Sequence, residues 1–306
     1  MLPTATLGRT GLKVVRLGFG AMEFRGTRVW GGRPVTDSQV ETLLHTVLDA
    51  GINFIDTSND YGRSEEFIGK FLSQRRSEFF LATKCGCLVT RKDENSDDTS
   101  HIWTKENLFR GLHESLQRLK TDIIDVMQLH NPSVEESEKG ALVGALQEMR
   151  RQGKIRWVGI STTLPHLPTY LKWGVFDTFQ IPYSGLQREH EDWIAKARQA
   201  GIGTIIRGGV AKGEPGKGHN SSADRWGKFE EAKLDELLAP GETRTAFLLR
   251  FALSHPEADT IIVGTLHPER VQENAKAVRR GPLPAHDYAE AKKRLDAAGI
   301  KAEPAL

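Results

Sequence analysis

The chain has 306 residues, which suits one (β/α)8 barrel or two modest domains. Its 42 basic and 40 acidic side chains nearly cancel to a net charge of +2, and no basic stripe interleaved with aromatic residues is present, which argues against a nucleic-acid partner. The N-terminal stretch lacks the apolar core of a secretory signal and no apolar run is long enough to span a bilayer, so we expect a cytoplasmic protein with no membrane partner.

The first predicted elements are a small hairpin, a strand and a helix. Residues 7–17 place Gly-Arg-Thr-Gly between apolar positions, which indicates a hairpin, and residues 14–18 are predicted as the first core strand. Thr36 begins a T-D-S-Q segment with capping-box spacing, and apolar residues then repeat at helical spacing until Gly51. This pattern predicts a helix between those two residues.

From residue 52 onward, short apolar runs alternate with amphipathic segments. The predicted strands cover residues 52–56, 79–84, 123–129, 155–161, 178–182, 202–206 and 260–263. The predicted helices cover residues 64–74, 104–119, 141–152, 167–173, 191–200, 229–238, 242–254 and 285–298. Eight strands separated by helices predict an α/β fold, a (β/α)8 TIM barrel with an N-terminal β-hairpin and an extra C-terminal helix, in a single domain over residues 1–306.

Two connections are much longer than the others. One separates Lys84 from the helix at Thr104, and the other separates Ile206 from Glu242. Both leave the carboxyl end of a predicted strand, which is where a barrel keeps its active site. Long structureless connections in a compact domain are usually binding loops or lids, so we expect these two to border the site.

Four ionisable side chains follow the ends of successive predicted strands. Asp56 and Tyr61 follow the second strand, Lys84 ends the third and His130 ends the fourth. Neighbouring strands of a barrel lie about 5 Å apart, so the four can converge in one pocket. An ammonium beside a phenol favours the phenolate and lowers the phenol pKa, and a carboxylate keeps the ammonium charged. The set suits proton donation to an oxygen whose carbon receives a hydride.

The two cysteines are predicted to be structural. Cys85 and Cys87 alternate along one strand end, so their side chains should point to opposite faces and cannot easily bridge each other. A metal site would need further cysteine or histidine ligands, and only His101 lies within twenty residues along the chain. We therefore expect no metal site.

Five segments of the chain resemble signature segments of the aldo-keto reductase family, in the same order and at similar spacing. They read F-I-D-T-S-N-D-Y-G, L-A-T-K-C-G, D-V-M-Q-L-H-N-P, G-K-I-R-W-V-G-I-S and I-I-V-G-T-L-H-P-E-R-V-Q-E-N. The resemblance implies that Tyr61 is the general acid, that Lys84 and Asp56 lower its pKa, and that His130 orients the carbonyl. It also implies reversible hydride transfer between a nicotinamide cofactor and an aldehyde or ketone, without metal.

The same resemblance assigns cofactor contacts. Ser161 and Gln180 match residues that hold the nicotinamide carboxamide, while Thr162 stands where the family often has asparagine. Arg207 aligns with a position where an aromatic residue commonly stacks on the nicotinamide, and a planar guanidinium can also stack on a ring. The matches to the adenine and 2'-phosphate contacts are Gly264, Thr265, Arg270, Glu273 and Asn274. The expected cofactor is NADP(H). NAD(H) is the alternative, because Gly264 stands where members that strongly prefer NADPH often have a lysine.

Candidate substrate-wall residues lie in the loops. They are Met22, Trp30, Asn59, Ile102, Trp103 and Trp226. Each tryptophan could equally be packing filler. Aromatic walls favour apolar or ring-bearing carbonyls, whereas Arg207 and Asn59 favour polyhydroxy or acidic ones, and the sequence does not choose between them.

The sequence leaves two rival functions open. Within enzymes, the rival is a sugar or polyol dehydrogenase that uses NAD(P) oxidatively. Outside enzymes, the rival is a non-catalytic redox sensor, because some barrels of this family are regulatory subunits of potassium channels. The expected partner is a small-molecule carbonyl or alcohol, and the sequence leaves the oligomeric state open.

Overall fold

The computed structural model of the chain describes residues 1–216 and 223–305. Its strands, in chain order, are β1 (Thr4–Thr6), β2 (Lys13–Val15), β3 (Leu17–Gly20), β4 (Phe54–Asp56), β5 (Phe80–Cys85), β6 (Cys87–Arg91), β7 (Asp97–His101), β8 (Ile124–His130), β9 (Ile155–Ser161), β10 (Thr178–Pro182), β11 (Gly203–Arg207) and β12 (Thr260–Val263). Eight of these form a closed parallel barrel in the order β3, β4, β5, β8, β9, β10, β11, β12. The predicted (β/α)8 barrel is confirmed.

Helices follow the barrel strands and pack on the barrel. They are α1 (Asp37–Asp49), α2 (Ser64–Leu72), α3 (Lys105–Leu119), α4 (Val134–Lys139), α5 (Leu142–Arg151), α6 (Leu167–Trp173), α7 (Glu191–Gln199), α8 (Ala223–Glu231), α9 (Arg244–Ser254), α10 (Pro268–Arg279) and α11 (Ala285–Ala297). The helix predicted at 229–238 is instead the end of α8 and a separate 3-10 turn at Leu234–Leu237. No helix among residues 1–216 and 223–305 is both long and apolar enough to cross a bilayer.

Helix α1 illustrates how the sequence pattern becomes packing. Its apolar residues Val40, Leu43, Leu44, Val47 and Leu48 are all buried. Fully burying such a side chain contributes about 1.5–3 kcal/mol, so this face anchors the helix to the barrel. The predicted capping box forms only in part. The Thr36 hydroxyl accepts from the Gln39 backbone N–H, while the Gln39 side chain donates to the Leu266 carbonyl instead.

The N-terminal hairpin is present, but its boundary with the barrel differs from the prediction. Strands β1 and β2 pair antiparallel, and β3 pairs with β4 and β12 in the barrel. The strand predicted at 14–18 therefore spans the end of β2 and the start of β3. Val14, Val15 and Leu17 are all buried. Because apolar residues lie on both sides of the bend at Arg16, the sequence pattern does not indicate that the strand is interrupted there.

The long connection after β5 is not structureless. It contains an antiparallel hairpin of β6 and β7, in which Cys87 lies opposite His101. Arg28 of the loop after β3 binds this hairpin through Asp97, with Nε to Oδ2 at 3.0 Å and Nη2 to Oδ1 at 2.5 Å. The hairpin is thus held over the carboxyl end of the barrel. Part of the other long connection, residues 217–222, lies outside the described residues.

Candidate active site

The four predicted catalytic side chains meet at the carboxyl end of the barrel. Asp56 ends β4, Lys84 lies one residue before the end of β5, His130 ends β8, and Tyr61 follows in the loop after β4. All four are buried. They come together because adjacent parallel strands end at the same edge of the barrel.

Lys84 occupies the centre of this group. Its Nζ donates to Asp56 Oδ1 and to the Thr57 carbonyl, both at 2.7 Å, and lies 4.8 Å from the centroid of the Tyr61 ring. Burial lowers the pKa of the ammonium, but the attraction of Asp56 and Tyr61 outweighs burial and raises the pKa above its ordinary value. Lys84 is therefore a fixed positive charge beside the phenol at neutral pH.

The pKa of Tyr61 differs from the prediction. Burial, together with the negative charges of Asp56 and Asp60, raises the pKa to about 12 against the opposing effect of Lys84, which lowers it. The predicted effect of Lys84 is present, but desolvation of the phenolate is larger. The hydroxyl consequently keeps its proton at neutral pH, which is the form that a proton donor needs.

Asp56 is held by two glutamine amides in addition to Lys84. Its Oδ2 accepts from Gln128 Nε2 at 2.9 Å and from Gln180 Nε2 at 2.8 Å. Gln180 is one of the predicted carboxamide contacts, and its amide nitrogen is engaged here. Gln128 was missed by sequence reasoning. The signal was available, because Gln128 precedes His130 by two residues on β8 and therefore shares its face of the strand.

Three polar side chains lie close to Nδ1 of His130. That nitrogen lies 3.0 Å from Cys87 Sγ, 3.4 Å from Ser58 Oγ and 3.5 Å from Asp60 Oδ2. The imidazole meets the Tyr61 ring edge to face at a centroid distance of 6.0 Å. Burial lowers the pKa of His130 to about 3 against the opposing effect of Asp60, so the imidazole is neutral at physiological pH.

Four side chains of types that bind metals, a carboxylate, a thiol and two imidazoles, come close together beside His130. We call them the donor cluster: Asp60, Cys87, His101 and His130. Along the sequence, His101 is the one further cysteine or histidine within twenty residues of the two cysteines. The fold adds Asp60 and His130 from two other strand ends. Cys85 is separate, with its thiol directed to the Gln128 carbonyl at 3.5 Å.

The residues predicted to hold the nicotinamide also lie at carboxyl strand ends. Ser161 ends β9, and its hydroxyl donates to Asn131 Oδ1 at 2.9 Å. Thr162 follows and is buried. Arg207 ends β11, where burial lowers the pKa of its guanidinium and the Tyr61 and Asp56 side chains oppose that shift. Its buried Nε has no hydrogen-bond partner among the described residues, so this edge offers a polar group that fits a bound cofactor or substrate.

The predicted adenosine contacts surround the start of α10. Gly264 and Thr265 follow β12, and Arg270, Glu273 and Asn274 lie within α10. The Thr265 hydroxyl accepts from the His267 backbone N–H at 3.1 Å. A Cβ placed on Gly264 would lie 2.6 Å from the Gly20 carbonyl oxygen, so the backbone here is too close for any side chain without a shift.

We expect Gly264→Ala to lower the free energy of unfolding by about 1–3 kcal/mol, because overpacking against rigid backbone forces a displacement. Gly144→Ala is the matched control. Gly144 lies within α5 with open space where the Cβ would be, so this change should stabilise the protein by about 0.5–1 kcal/mol. Urea unfolding measures both. Equal effects of the two substitutions would contradict the close contact at Gly264.

Two of the candidate wall residues border the site. Trp30 is 49% exposed, and its ring lies edge to face with Tyr61 at a centroid distance of 6.0 Å. Its Nε1 donates to Thr99 Oγ1 at 3.0 Å, which fixes it against β7. Met22 is half-buried in a 3-10 turn directly after β3, at the same end of the barrel. Trp30 therefore lies at the edge of the candidate site, against Tyr61.

The other candidates have structural contacts. Asn59 is buried and donates from Nδ2 to the Cys87 carbonyl at 3.0 Å. Trp103 stacks on His101 at 5.3 Å, next to the exposed Ile102. Trp226 is buried, stacks on Phe229 at 5.7 Å and donates to the Ala211 carbonyl. Asn59 Nδ2 and Trp226 Nε1 thus bind backbone carbonyls within the protein, whereas the buried Oδ1 of Asn59 has no hydrogen-bond partner among the described residues.

Comparison with known proteins agrees with this geometry. Residues 16–296 match the family model described as "Aldo/keto reductase family". The chain is 31% identical over 290 residues to an uncharacterised oxidoreductase, YqkF, of Bacillus subtilis, covering 89% of each chain. It is 29% identical to the NADH-specific methylglyoxal reductase of Escherichia coli, covering 89% of this chain and 92% of that one. It is 27% identical to the L-galactose dehydrogenase of Arabidopsis thaliana, over 89% and 86%.

A solved structure gives the same result. The aldo-keto reductase AKR11C1 of Bacillus halodurans, in its holo form, superposes with a TM-score of 0.82 at 29% identity, covering 96% of each chain. The family match spans nearly the whole barrel, and the relatives are named as an oxidoreductase, a reductase and a dehydrogenase. This chain belongs to the aldo-keto reductase family.

Proposed function

We propose that the protein is an NADP(H)-dependent oxidoreductase that transfers hydride between nicotinamide and the carbonyl carbon of an aldehyde or ketone. The observation that carries the proposal is the position of the Lys84 ammonium, 2.7 Å from Asp56 Oδ1 and 4.8 Å from the Tyr61 ring centroid. A protonated phenol beside a fixed cation is suited to protonating an oxygen that gains negative charge.

In this mechanism Tyr61 is the general acid. The hydride for the carbonyl carbon would come from the reduced nicotinamide when it is bound. The Tyr61 hydroxyl gives its proton to the carbonyl oxygen, and the ammonium of Lys84 stabilises the phenolate that remains. Asp56 keeps Lys84 charged and in place. The neutral imidazole of His130 directs Nδ1 toward the donor cluster, which leaves Nε2 to donate to the substrate oxygen.

The residues that would hold the cofactor lie at the carboxyl end of the barrel. Ser161, Thr162 and the side-chain carbonyl oxygen of Gln180 would hold the carboxamide, and Arg207 would contact the nicotinamide end. The adenosine end would be held by Gly264, Thr265, Arg270, Glu273 and Asn274. Arg270 lies in the first turn of α10, where backbone N–H groups and the helix dipole also favour an anion. The guanidinium of Arg270 and the N-terminus of α10 together favour binding of the 2'-phosphate of NADP(H).

We expect Arg270→Ala to raise the dissociation constant of NADPH by about tenfold or more while changing that of NADH little, because a charge-assisted bond to phosphate is worth about 1.5–3 kcal/mol. Quenching of tryptophan fluorescence measures both constants. Arg279→Ala is the control, since Arg279 lies in the last turn of the same helix, about 13 Å away along its axis. Equal losses for the two cofactors would contradict the phosphate contact.

A second candidate is oxidation of a sugar or polyol at the same site. The L-galactose dehydrogenase relative favours it, and the methylglyoxal reductase relative named as NADH-specific favours NAD(H) as the cofactor. A panel of aldehydes, ketones, aldoses and polyols, assayed in both directions with NADP(H) and NAD(H), separates these possibilities. Faster oxidation of sugars than reduction of any carbonyl would favour the second candidate. No turnover in either direction would contradict both and favour a non-catalytic sensor.

A further inference from the structure

The donor cluster lies where three separate parts of the fold meet. Cys87 begins β6 and pairs across the hairpin with His101, which ends β7. His130 ends β8, and Asp60 lies in the loop after β4. One ligand atom from each side chain lies within 4.8 Å of all the others. The arrangement therefore brings a thiol, a carboxylate and two imidazoles around one point.

Two of the distances between ligand atoms are close to those of a tetrahedral metal site. Cys87 Sγ and His130 Nδ1 are 3.0 Å apart, and Asp60 Oδ2 and His130 Nδ1 are 3.5 Å apart. Zinc bonds of about 2.0–2.3 Å imply neighbouring ligand atoms about 3.3–3.8 Å apart. His101 is exposed, so its ring can adjust and is open to solvent. The cluster needs only small side-chain shifts to enclose a cation.

A second observation points to a ligand at this place. The Asp60 side chain is 0% exposed, and its Oδ2 has no hydrogen-bond partner among the described residues. The other oxygen, Oδ1, accepts from Ser58 Oγ at 2.5 Å, so the carboxylate is held with one oxygen facing the cluster. A buried carboxylate oxygen without a partner is costly, and a divalent cation would compensate it.

We propose that the donor cluster binds a Zn²⁺ ion. A thiolate, two imidazoles and a carboxylate form the borderline-soft set that Zn²⁺ prefers, whereas Mg²⁺ and Ca²⁺ prefer all-oxygen sites. On binding, the Cys87 thiol releases its proton to solvent and the sulfur bonds to the metal. The ion would occupy the Nδ1 side of His130 and takes no part in hydride transfer. The site is additional to the proposed reaction and would tie the β6–β7 hairpin to the barrel.

Cobalt titration of the metal-free, fully reduced protein tests the proposal. We expect one equivalent of Co²⁺ to bind, with a thiolate-to-cobalt charge-transfer band and visible bands typical of tetrahedral coordination. Zn²⁺ should displace it, because zinc binds such sites more tightly than cobalt. Cys87→Ser should remove the charge-transfer band. His101→Ala, a change at an exposed residue, should weaken Zn²⁺ binding at least about tenfold.

Two matched controls separate the site from nonspecific binding. Cys85→Ser alters the other buried thiol, and His113→Ala alters an exposed histidine of α3, so both should bind Co²⁺ as the unaltered protein does. No saturable uptake, a charge-transfer band that survives Cys87→Ser, or equal weakening by His101→Ala and His113→Ala would overturn the proposal. The titration contains no cofactor or substrate, so its failure would leave the proposed oxidoreductase function untouched.

Discussion

Tyr61→Phe is expected to reduce the rate of carbonyl reduction by about 100- to 10,000-fold, the range that a positioned general acid contributes, while NADPH still binds. The substitution removes only the hydroxyl. The ring contacts with Trp30 at 6.0 Å and with the Lys84 ammonium at 4.8 Å remain possible, so the pocket should keep its shape. Single-turnover oxidation of NADPH with a nitrobenzaldehyde measures the chemical step, and quenching of tryptophan fluorescence measures cofactor binding.

Tyr170→Phe is the matched control. Tyr170 is also buried, but its hydroxyl donates to the Pro132 carbonyl at 2.9 Å and bonds Ser137 Oγ at 2.8 Å. Loss of the Tyr170 hydroxyl should lower the free energy of unfolding by about 1 kcal/mol and leave the rate of carbonyl reduction unchanged. Turnover by Tyr61→Phe at the rate of the unaltered protein would contradict the assigned acid. A parallel loss of NADPH binding would mean that the hydroxyl serves the cofactor instead.

The barrel and the position of the candidate catalytic residues could be predicted because both follow from local sequence patterns. Each barrel strand is a short apolar run stopped by a polar residue, and parallel strands end at one edge, so Asp56, Lys84 and His130 had to converge. The sequence does not indicate how burial and the neighbouring charges combine to set the pKa values of these side chains. The pKa of Tyr61 depends on how deeply the fold buries it, and burial outweighs the Lys84 charge.

The β6–β7 hairpin could not be predicted for a different reason. Strand β7 reads D-D-T-S-H and carries no apolar alternation, so its strand character comes from pairing with β6 and from the Arg28 contact to Asp97. The donor cluster depends on that pairing. Cys87 and His130 are 43 residues apart in the sequence. The hairpin and the pairing of β5 with β8 bring Cys87 Sγ to 3.0 Å from His130 Nδ1.

Lys84→Met is expected to abolish turnover and to destabilise the protein by about 3–5 kcal/mol. The methionine fills a similar volume but leaves the Asp56 carboxylate buried without its cation, and breaking a buried ion pair from one side has a cost of this size. The Gln128 and Gln180 amides still donate to Asp56, which places the expected loss toward the lower end of the range. Urea unfolding and the steady-state rate measure the two effects.

The double variant Lys84→Met with Asp56→Asn separates stability from catalysis. Removing both charges takes away the unpaired carboxylate, so we expect much of the lost stability to return while turnover stays absent, because the cation beside Tyr61 is still missing. Lys139→Met is the control. Lys139 pairs with Glu135 on the surface, both side chains about three-quarters exposed, and its loss should cost less than about 1 kcal/mol. Additive destabilisation in the double variant would contradict a coupled pair, and recovered turnover would contradict the role of Lys84 as the charge that supports the phenolate.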